Sequence, residues 1–220
     1  MIRIYIEGDP AAGQKFKLAE SQIHYLKNVM RLKTGDRFIV FGNGKEFIAE
    51  FPDAIISETN RPDPANNATL AFCPIKPARL EEMISMATQL GVARFQPVIS
   101  KFTDIPKMNF DRFKKIAIEA SEQSGRLSVP EFLPAQKLAD FIPLAQNLIY
   151  ADERTAKFPS CGGVREARGG LFTLLIGPEG GFAPEEFALL EKSGATGIGL
   201  GRTILRAETA AAAALSILLN

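Results

Sequence analysis

The stretch Leu174-Leu175-Ile176-Gly177-Pro178-Glu179-Gly180-Gly181-Phe182 decides the fold class of this 220-residue chain. An apolar, strand-like run breaks at glycine, and the chain restarts as a helix at Ala183-Pro184-Glu185-Glu186. Proline suits the first turn of a helix, and carboxylates suit the positive end of its dipole. A second stretch, Leu200-Gly201-Arg202-Thr203-Ile204-Leu205-Arg206-Ala207-Glu208-Thr209, repeats the strand–glycine–helix pattern. Such turns bare backbone N–H and C=O groups at the carboxyl edge of a sheet, where open α/β folds bind ligands. Two of them side by side predict one shared pocket.

The glycines alone do not name the ligand. Neither loop ends in the Gly-Lys-Ser/Thr of a phosphate cradle, and neither has the Gly-x-Gly-x-x-Gly of a dinucleotide site. Gly180-Gly181 leads into Phe182, and Glu179 would repel a polyphosphate. The ligand expected beside this loop is neutral or cationic.

Around the pair the chain alternates strand and helix. Strands are expected at 69–73, 94–98, 148–151, 171–176 and 196–200, and helices at 78–90, 111–124, 184–193 and from about Arg206. That order implies an α/β domain with a mostly parallel sheet and helices on both faces. The last helix, from Ala207 to Leu219, is alanine-rich and apolar nearly all round. It belongs either in the domain core or against a second subunit. The N-terminal third differs. Short strands at 2–6, 37–41, 46–51 and 54–58, an Asn43-Gly44 hairpin turn, and one helix at 20–30 with Ile23, Leu26 and Met30 on one face describe a small barrel-like module. The polar, proline-punctuated run Asn60-Arg61-Pro62-Asp63-Pro64-Ala65-Asn66-Asn67 marks the boundary.

Apolar and charged fractions of 46% and 23% are ordinary for a soluble globular protein. No window reaches the roughly eighteen apolar residues of a membrane span, and the alternating start Met1-Ile2-Arg3-Ile4-Tyr5-Ile6-Glu7 reads as an edge strand rather than a secretory leader. Cys73 and Cys161 lack metal-ligand spacing, so unpaired thiols in a reducing cytosol and no metal are expected. A net charge of +1 does not advertise nucleic-acid binding. Two stretches are locally basic, Lys27, Arg31, Lys33 and Arg37, then Lys107, Arg112, Lys114 and Lys115; each also reads as a solvated helix face. His24, the only histidine, reads first as a packing or capping residue.

Gly177-Pro178-Glu179-Gly180-Gly181-Phe182, followed by Leu200-Gly201 and Ile204-Leu205-Arg206-Ala207-Glu208-Thr209-Ala210, resembles the ribosomal small-subunit RNA uridine-N3 methyltransferases of the knotted SPOUT superfamily. The resemblance runs almost the whole chain. His24-Tyr25-Leu26, Val29-Met30-Arg31-Leu32-Lys33 and Gly35-Asp36 are similar to the family's N-terminal signature, and Thr88-Gln89-Leu90-Gly91-Val92 to its first catalytic-domain helix. Glu119-Ala120-Ser121-Glu122-Gln123-Ser124-Gly125-Arg126 with Val129-Pro130 resembles its central motif.

The resemblance implies a small PUA-like β-barrel RNA-binding domain over 1–66 and a trefoil-knotted SPOUT methyltransferase domain over 67–220. It implies S-adenosylmethionine as cofactor, bound in a bent shape, and a cytoplasmic homodimer that methylates N3 of one uridine in 16S ribosomal RNA, within the assembled small subunit. A sulfonium cation tolerates Glu179 where a polyphosphate would not. The implied cofactor contacts are Leu175, Ile176, Gly177, Glu179 and Gly180 of the first loop and Leu200, Gly201, Ile204 and Leu205 of the second, largely through backbone groups and an apolar wall. Uracil N3 must lose its imide proton, which calls for an oriented acceptor and a nearby cation. Arg126, Arg206 and Glu122 are the catalytic candidates, and Glu179 is a second candidate for orienting the base or taking the proton. A surface helix end is the plain alternative for Glu122 and Arg126, and a helix-dipole cap for Glu208. RNA contacts fall to His24, Lys27, Arg31 and Lys101, mainly at phosphates.

The chain departs from the family where a Glu-Arg-Ser/Thr triplet is common, carrying Lys101-Phe102-Thr103 instead. Met86 and Gln89 replace a customary lysine and glutamate. These changes bear on RNA contacts more than on the cofactor. The alternatives are a SPOUT methyltransferase for another RNA atom, such as a ribose 2′-hydroxyl, or a non-catalytic RNA-binding ribosome assembly factor. A nucleotide hydrolase comes last, for want of phosphate-binding chemistry.

Overall fold

The computed structural model describes residues 1–64, 67–103, 108–155 and 171–219; Lys107 and Cys161 lie outside them. The chain divides into two units, Met1–Ala65 with Ile118–Val129, and Asn66–Ala117 with Pro130–Asn220.

In the first unit, β1 (Arg3–Tyr5) runs parallel to β2 (Arg37–Gly42), which pairs antiparallel with β3 (Lys45–Glu50), itself antiparallel to β4 (Ala54–Glu58). Side chains at alternate positions, among them Phe38 and Val40 of β2 and Phe47 and Ala49 of β3, bury against Ile4, Leu26 and Ile55. The β2–β3 turn places Asn43 at φ +50° and Gly44 at φ +77°, the paired left-handed conformation of a two-residue hairpin loop.

The helix expected over 20–30 is two things. A short α1 (Glu20–His24) widens into one π-helical turn, Tyr25–Val29, where the Met30 N–H donates to the Tyr25 carbonyl at 2.9 Å. The extra residue in that turn shifts the helical phase of the residues after it. Leu26 is fully buried, while Ile23 and Met30 are each 40% exposed, so the three do not form the single buried stripe that regular helical spacing predicts.

The second unit follows the order β5 (Thr69–Phe72), α2 (Pro77–Gln89), β6 (Arg94–Ile99), α3 (Phe110–Ser124, counted with the first unit from Ile118), β7 (Glu131–Phe132), β8 (Gln136–Lys137) and α4 (Leu138–Phe141) with a 3-10 turn at Ile142–Leu144. Then come β9 (Leu148–Ala151), β10 (Thr173–Ile176), α5 (Pro184–Lys192), β11 (Thr196–Ile198) and α6 (Ala207–Leu219). The strands lie in the order β11-β9-β10-β5-β6-β7, with β8 also on β6, and every pair is parallel. β7, β8 and α4 were not expected, because two to four residues are too few to display a period.

Alternation sends Ala71, Val98, Tyr150 and Leu175 to one face, packed with α4 and with Leu190 of α5. On the other, α6 packs against α2 and β10 through buried Ala210, Ala211, Ala214, Leu215 and Leu218. The alanines let α6 approach closely, and the burial expected of this apolar helix is met in part within the chain. Cys73 is buried beneath the sheet edge, and that burial pushes its thiol up to about 11. Among the described residues no helix is long and apolar enough to cross a membrane.

β10 sits between β5 and β9 rather than beside a sequence neighbour on both sides. The chain builds outward from β5 through β6 to β7, then returns to the opposite flank. The carboxyl ends of β9, β10 and β11 therefore open side by side, at the kind of topological switch where α/β sheets hold ligands.

Candidate functional site

The loops leaving β9, β10 and β11 enclose a cavity of about 420 Å³, completed by Arg79 of α2 and Ala210 of α6. That volume lies in the range of small-molecule and cofactor sites. In the first loop the Gly181 N–H donates to the Pro178 carbonyl at 2.9 Å and closes the turn. Phe182 folds back beneath it, buried and edge-on to Phe187. A Cβ at position 177 would lie 3.0 Å from the Phe182 ring, so only glycine lets the strand end lie on that ring without displacement. Glu186 fixes the other end of the loop. Its buried carboxylate accepts the Ala183 N–H at 2.8 Å and the Lys101 N–H at 2.7 Å.

Of the residues expected here, Ile176, Gly177, Glu179, Leu200, Gly201, Ile204, Leu205 and Arg206 all line the cavity. Leu200 and Leu205 are half-buried, whereas Ile204 is 80% exposed and belongs to the mouth rather than the wall. Leu175 is fully buried in β10 behind the cavity, and Gly180 borders a neighbouring groove.

The electrostatics join Glu179 and Glu208, both singled out from the sequence, to Arg79, Asp152 and Arg154, which sequence patterns did not single out. Arg79 hydrogen-bonds the Glu179 carboxylate, and its Nε lies 4.0 Å from Glu208 Oε1. A single side chain from α2 thus ties the first glycine loop to the start of α6. Glu208 is buried, and its Oε2 has no hydrogen-bond partner. Two carboxylates against one guanidinium leave an excess negative charge beside the cavity. Asp152, immediately after β9, adds another carboxylate to the lining. Its oxygens accept Arg154 Nε and Nη2, each at 2.9 Å, and these bonds hold the carboxyl below its ordinary value of 3.8. The Arg154 guanidinium in turn lies over the Phe187 ring, 3.3 Å from its centroid. Glu153, Arg202 and Arg206 also line the hollow, so its charges balance as a whole, and the local carboxylate excess is confined to the surroundings of Arg79, where it suits a cationic group better than a polyphosphate. Asp152 was legible in principle, since it follows the carboxyl end of a parallel strand; Arg79 was not, because nothing local marks one exposed-looking helix arginine as an ion-pair bridge.

Glu122 and Arg126 are placed elsewhere. Both belong to the first unit, and neither lines the cavity. Glu122 Oε1 accepts the Tyr5 N–H of β1 at 2.9 Å, and burial raises its carboxyl above the ordinary 4.5 despite that bond. Arg126 is 2% exposed, donates from Nε to the Ser128 carbonyl at 3.2 Å, and offers its own carbonyl to Arg3 Nη2 at 2.8 Å. Burial lowers its guanidinium to about 10. His24, Lys27 and Arg31 are exposed on α1, the π turn and the residues just beyond it. Lys101, exposed in the second unit, pairs with Glu185 at 2.5 Å, and that hydrogen bond raises its ammonium above the usual value.

A family model described as an RNA methyltransferase domain matches residues 61–219, and one described as an RNA methyltransferase PUA domain matches residues 18–54. The Ribosomal RNA small subunit methyltransferase E of Rickettsia conorii is 36% identical over 227 aligned positions, covering 97% of this chain and 93% of that protein. The crystal structure of the same-named protein from Neisseria gonorrhoeae, bound to S-adenosyl methionine, superposes with a TM-score of 0.87 at 28% identity, over 98% of this chain and 95% of the other. A Legionella pneumophila methyltransferase structure in complex with the cofactor SAM gives a TM-score of 0.86 at 31% identity, over 99% and 96%. Matches of this length, on a fold whose loops converge as described, have one consequence: the chain belongs to the ribosomal RNA small subunit methyltransferase E family.

Proposed function

We propose that this chain uses S-adenosylmethionine to methylate N3 of a specific uridine in 16S ribosomal RNA of the small subunit. The observation that carries it is the cavity at the carboxyl ends of β9, β10 and β11, built from backbone turns and from the Arg79, Glu179 and Glu208 cluster, in a chain of this family. When bound, the cofactor supplies a methyl group on a positively charged sulfur. For that methyl group to be taken up, uracil N3 would have to lose its imide proton to a nearby acceptor. Glu179, held by Arg79 through Oε1, orients the uracil or accepts that proton. Arg206, exposed at the cavity edge, stabilises negative charge developing on the base. Leu200, Leu205, Ile176 and the backbone at Gly177 and Gly201 hold the adenosyl part.

Glu122 and Arg126 serve this function indirectly, by fixing β1 within the first unit. Residues 1–66 act as the RNA-binding domain, with exposed His24, Lys27 and Arg31 as phosphate contacts and the PUA match within it as support. Residues 67–220 act as the methyltransferase domain. The insertion of β10 between β5 and β9 supports a trefoil-knotted path. Ala212, Ala213 and Ile217 leave α6 a half-buried apolar side that supports a homodimer. The substrate is the assembled small subunit, and the compartment is the cytoplasm.

The test is incubation with methyl-labelled S-adenosylmethionine and small subunits lacking the modification, followed by digestion and mass spectrometry of the nucleosides. Label in 3-methyluridine is expected. Label in another nucleoside replaces the target, and no label despite measured cofactor binding turns the chain into a non-catalytic assembly factor.

A further inference from the structure

Beside the cofactor cavity lies a groove of about 240 Å³, lined by Pro74, Ile75, Lys76, Pro77 and Phe102 and by the outer side of residues 178–180. The two hollows share Pro178 and Glu179, so a single loop forms the wall between them. Isolated exposed apolar side chains are ordinary; Phe102 is set apart by how it is held. The residue is 50% exposed while the turn beneath it is bonded at every other residue. The Ser100 N–H donates to Thr103 Oγ1 at 3.0 Å, the two hydroxyls meet at 2.8 Å, and the Lys101 N–H is held by buried Glu186. A Cβ on Gly180 would lie 3.5 Å from the Phe102 Cβ, so the glycine loop rests against the foot of the ring.

We propose that Phe102 is a stacking platform for an unpaired base beside the target uridine, seated in the groove between Phe102 and the Pro74–Pro77 segment. This deepens the function proposed above and rests on it. An aromatic side chain fixed through its backbone and half exposed, with Lys101 over one face, offers an unstacked base a π surface at little ordering cost. The prolines add flat, rigid apolar sides without N–H donors to leave unsatisfied. Lys76, exposed at the start of α2, supplies positive charge for a flanking phosphate, while the Lys101 Nζ, paired with Glu185, lies over the ring 5.8 Å from its centroid. A base seated here lies across the loop that carries Glu179 from the cofactor cavity, so the target uracil, whose N3 must reach the methyl group directly, is its neighbour in the strand.

Wild type, Phe102→Ala, Phe102→Leu and Phe102→Tyr are compared on small subunits lacking the modification, with cofactor Kd by calorimetry and Tm for each. Phe102→Ala and Phe102→Leu are expected to lower kcat/KM for the subunit roughly 5- to 150-fold, with cofactor Kd and Tm unchanged, while Phe102→Tyr keeps wild-type turnover. A Phe102→Ala enzyme as active as wild type, or a Phe102→Leu enzyme equal to Phe102→Tyr, overturns the stacking role alone. A wild type that binds cofactor yet forms no 3-methyluridine overturns the proposed function, and the stacking role with it.

Discussion

Arg206 and Arg126 each close a glycine-bearing motif, and the fold gives them opposite fates. Arg206 is exposed at the rim of the cavity, whereas Arg126 is 2% exposed inside the first unit. The difference lies in what surrounds each motif. The loops after β10 and β11 leave the ends of parallel strands, where the backbone groups face a hollow. The stretch from Glu119 to Pro130 ends a helix beside the β1 edge, and its polar groups are consumed there. Glu122 takes the Tyr5 N–H, and Gly125 and Arg126 carbonyls accept Arg61 and Arg3. Charged residues in a motif are thus available for chemistry only where the neighbouring backbone does not need them.

Substitutions can break this contrast. Arg206→Ala is expected to cut turnover by about 10²- to 10³-fold, the size of losing one charge-stabilising donor, with cofactor Kd little changed; wild-type kcat would remove Arg206 from the chemistry. A middle effect is expected from Arg79→Gln. Loss of its charged hydrogen bond to Glu179 should weaken S-adenosylmethionine binding about tenfold in calorimetry, with Arg79→Lys recovering part of it, and an unchanged Kd would show that the two loops hold their places unaided.

The smallest effect belongs to Glu122→Gln, which keeps an acceptor for the Tyr5 N–H. The Glu122 carboxyl is raised in the folded chain, chiefly by burial. A raised carboxyl favours the protonated form, so its contribution to stability is present below the unfolded value and is lost as pH rises through the folded one. Glu122→Gln should therefore gain in Tm relative to wild type as pH increases from about 4 to 7, with kcat/KM unchanged. A fall of about 100-fold in kcat/KM, the mark of a lost acid–base group, would return Glu122 to the catalytic set and erase the contrast.

Much of this architecture is legible in the sequence alone. The Gly177 and Gly201 turns, the strand–helix alternation and the Asn43-Gly44 hairpin all follow from local rules, and the structure places them as those rules require. Legibility failed where a contact is long-range. Arg79 and Glu179 are far apart in the chain, as are Lys101 and Glu186, and no spacing rule links them. It failed again at Tyr25–Val29, where a π turn upsets the period that would put Ile23, Leu26 and Met30 on one face.

The sequence by itself determined the element order, the glycine turns and the apolar character of α6, because backbone conformation and hydrophobic period are set by near neighbours. Only the tertiary structure decided which strand lies beside which, that Arg79 bridges two acidic residues, that Phe102 stands out over a groove, and that Glu122 and Arg126 serve the first unit. Those outcomes depend on burial and on pairing across the chain, where a charge becomes structural or chemical according to whether a buried backbone group or a hollow lies opposite it.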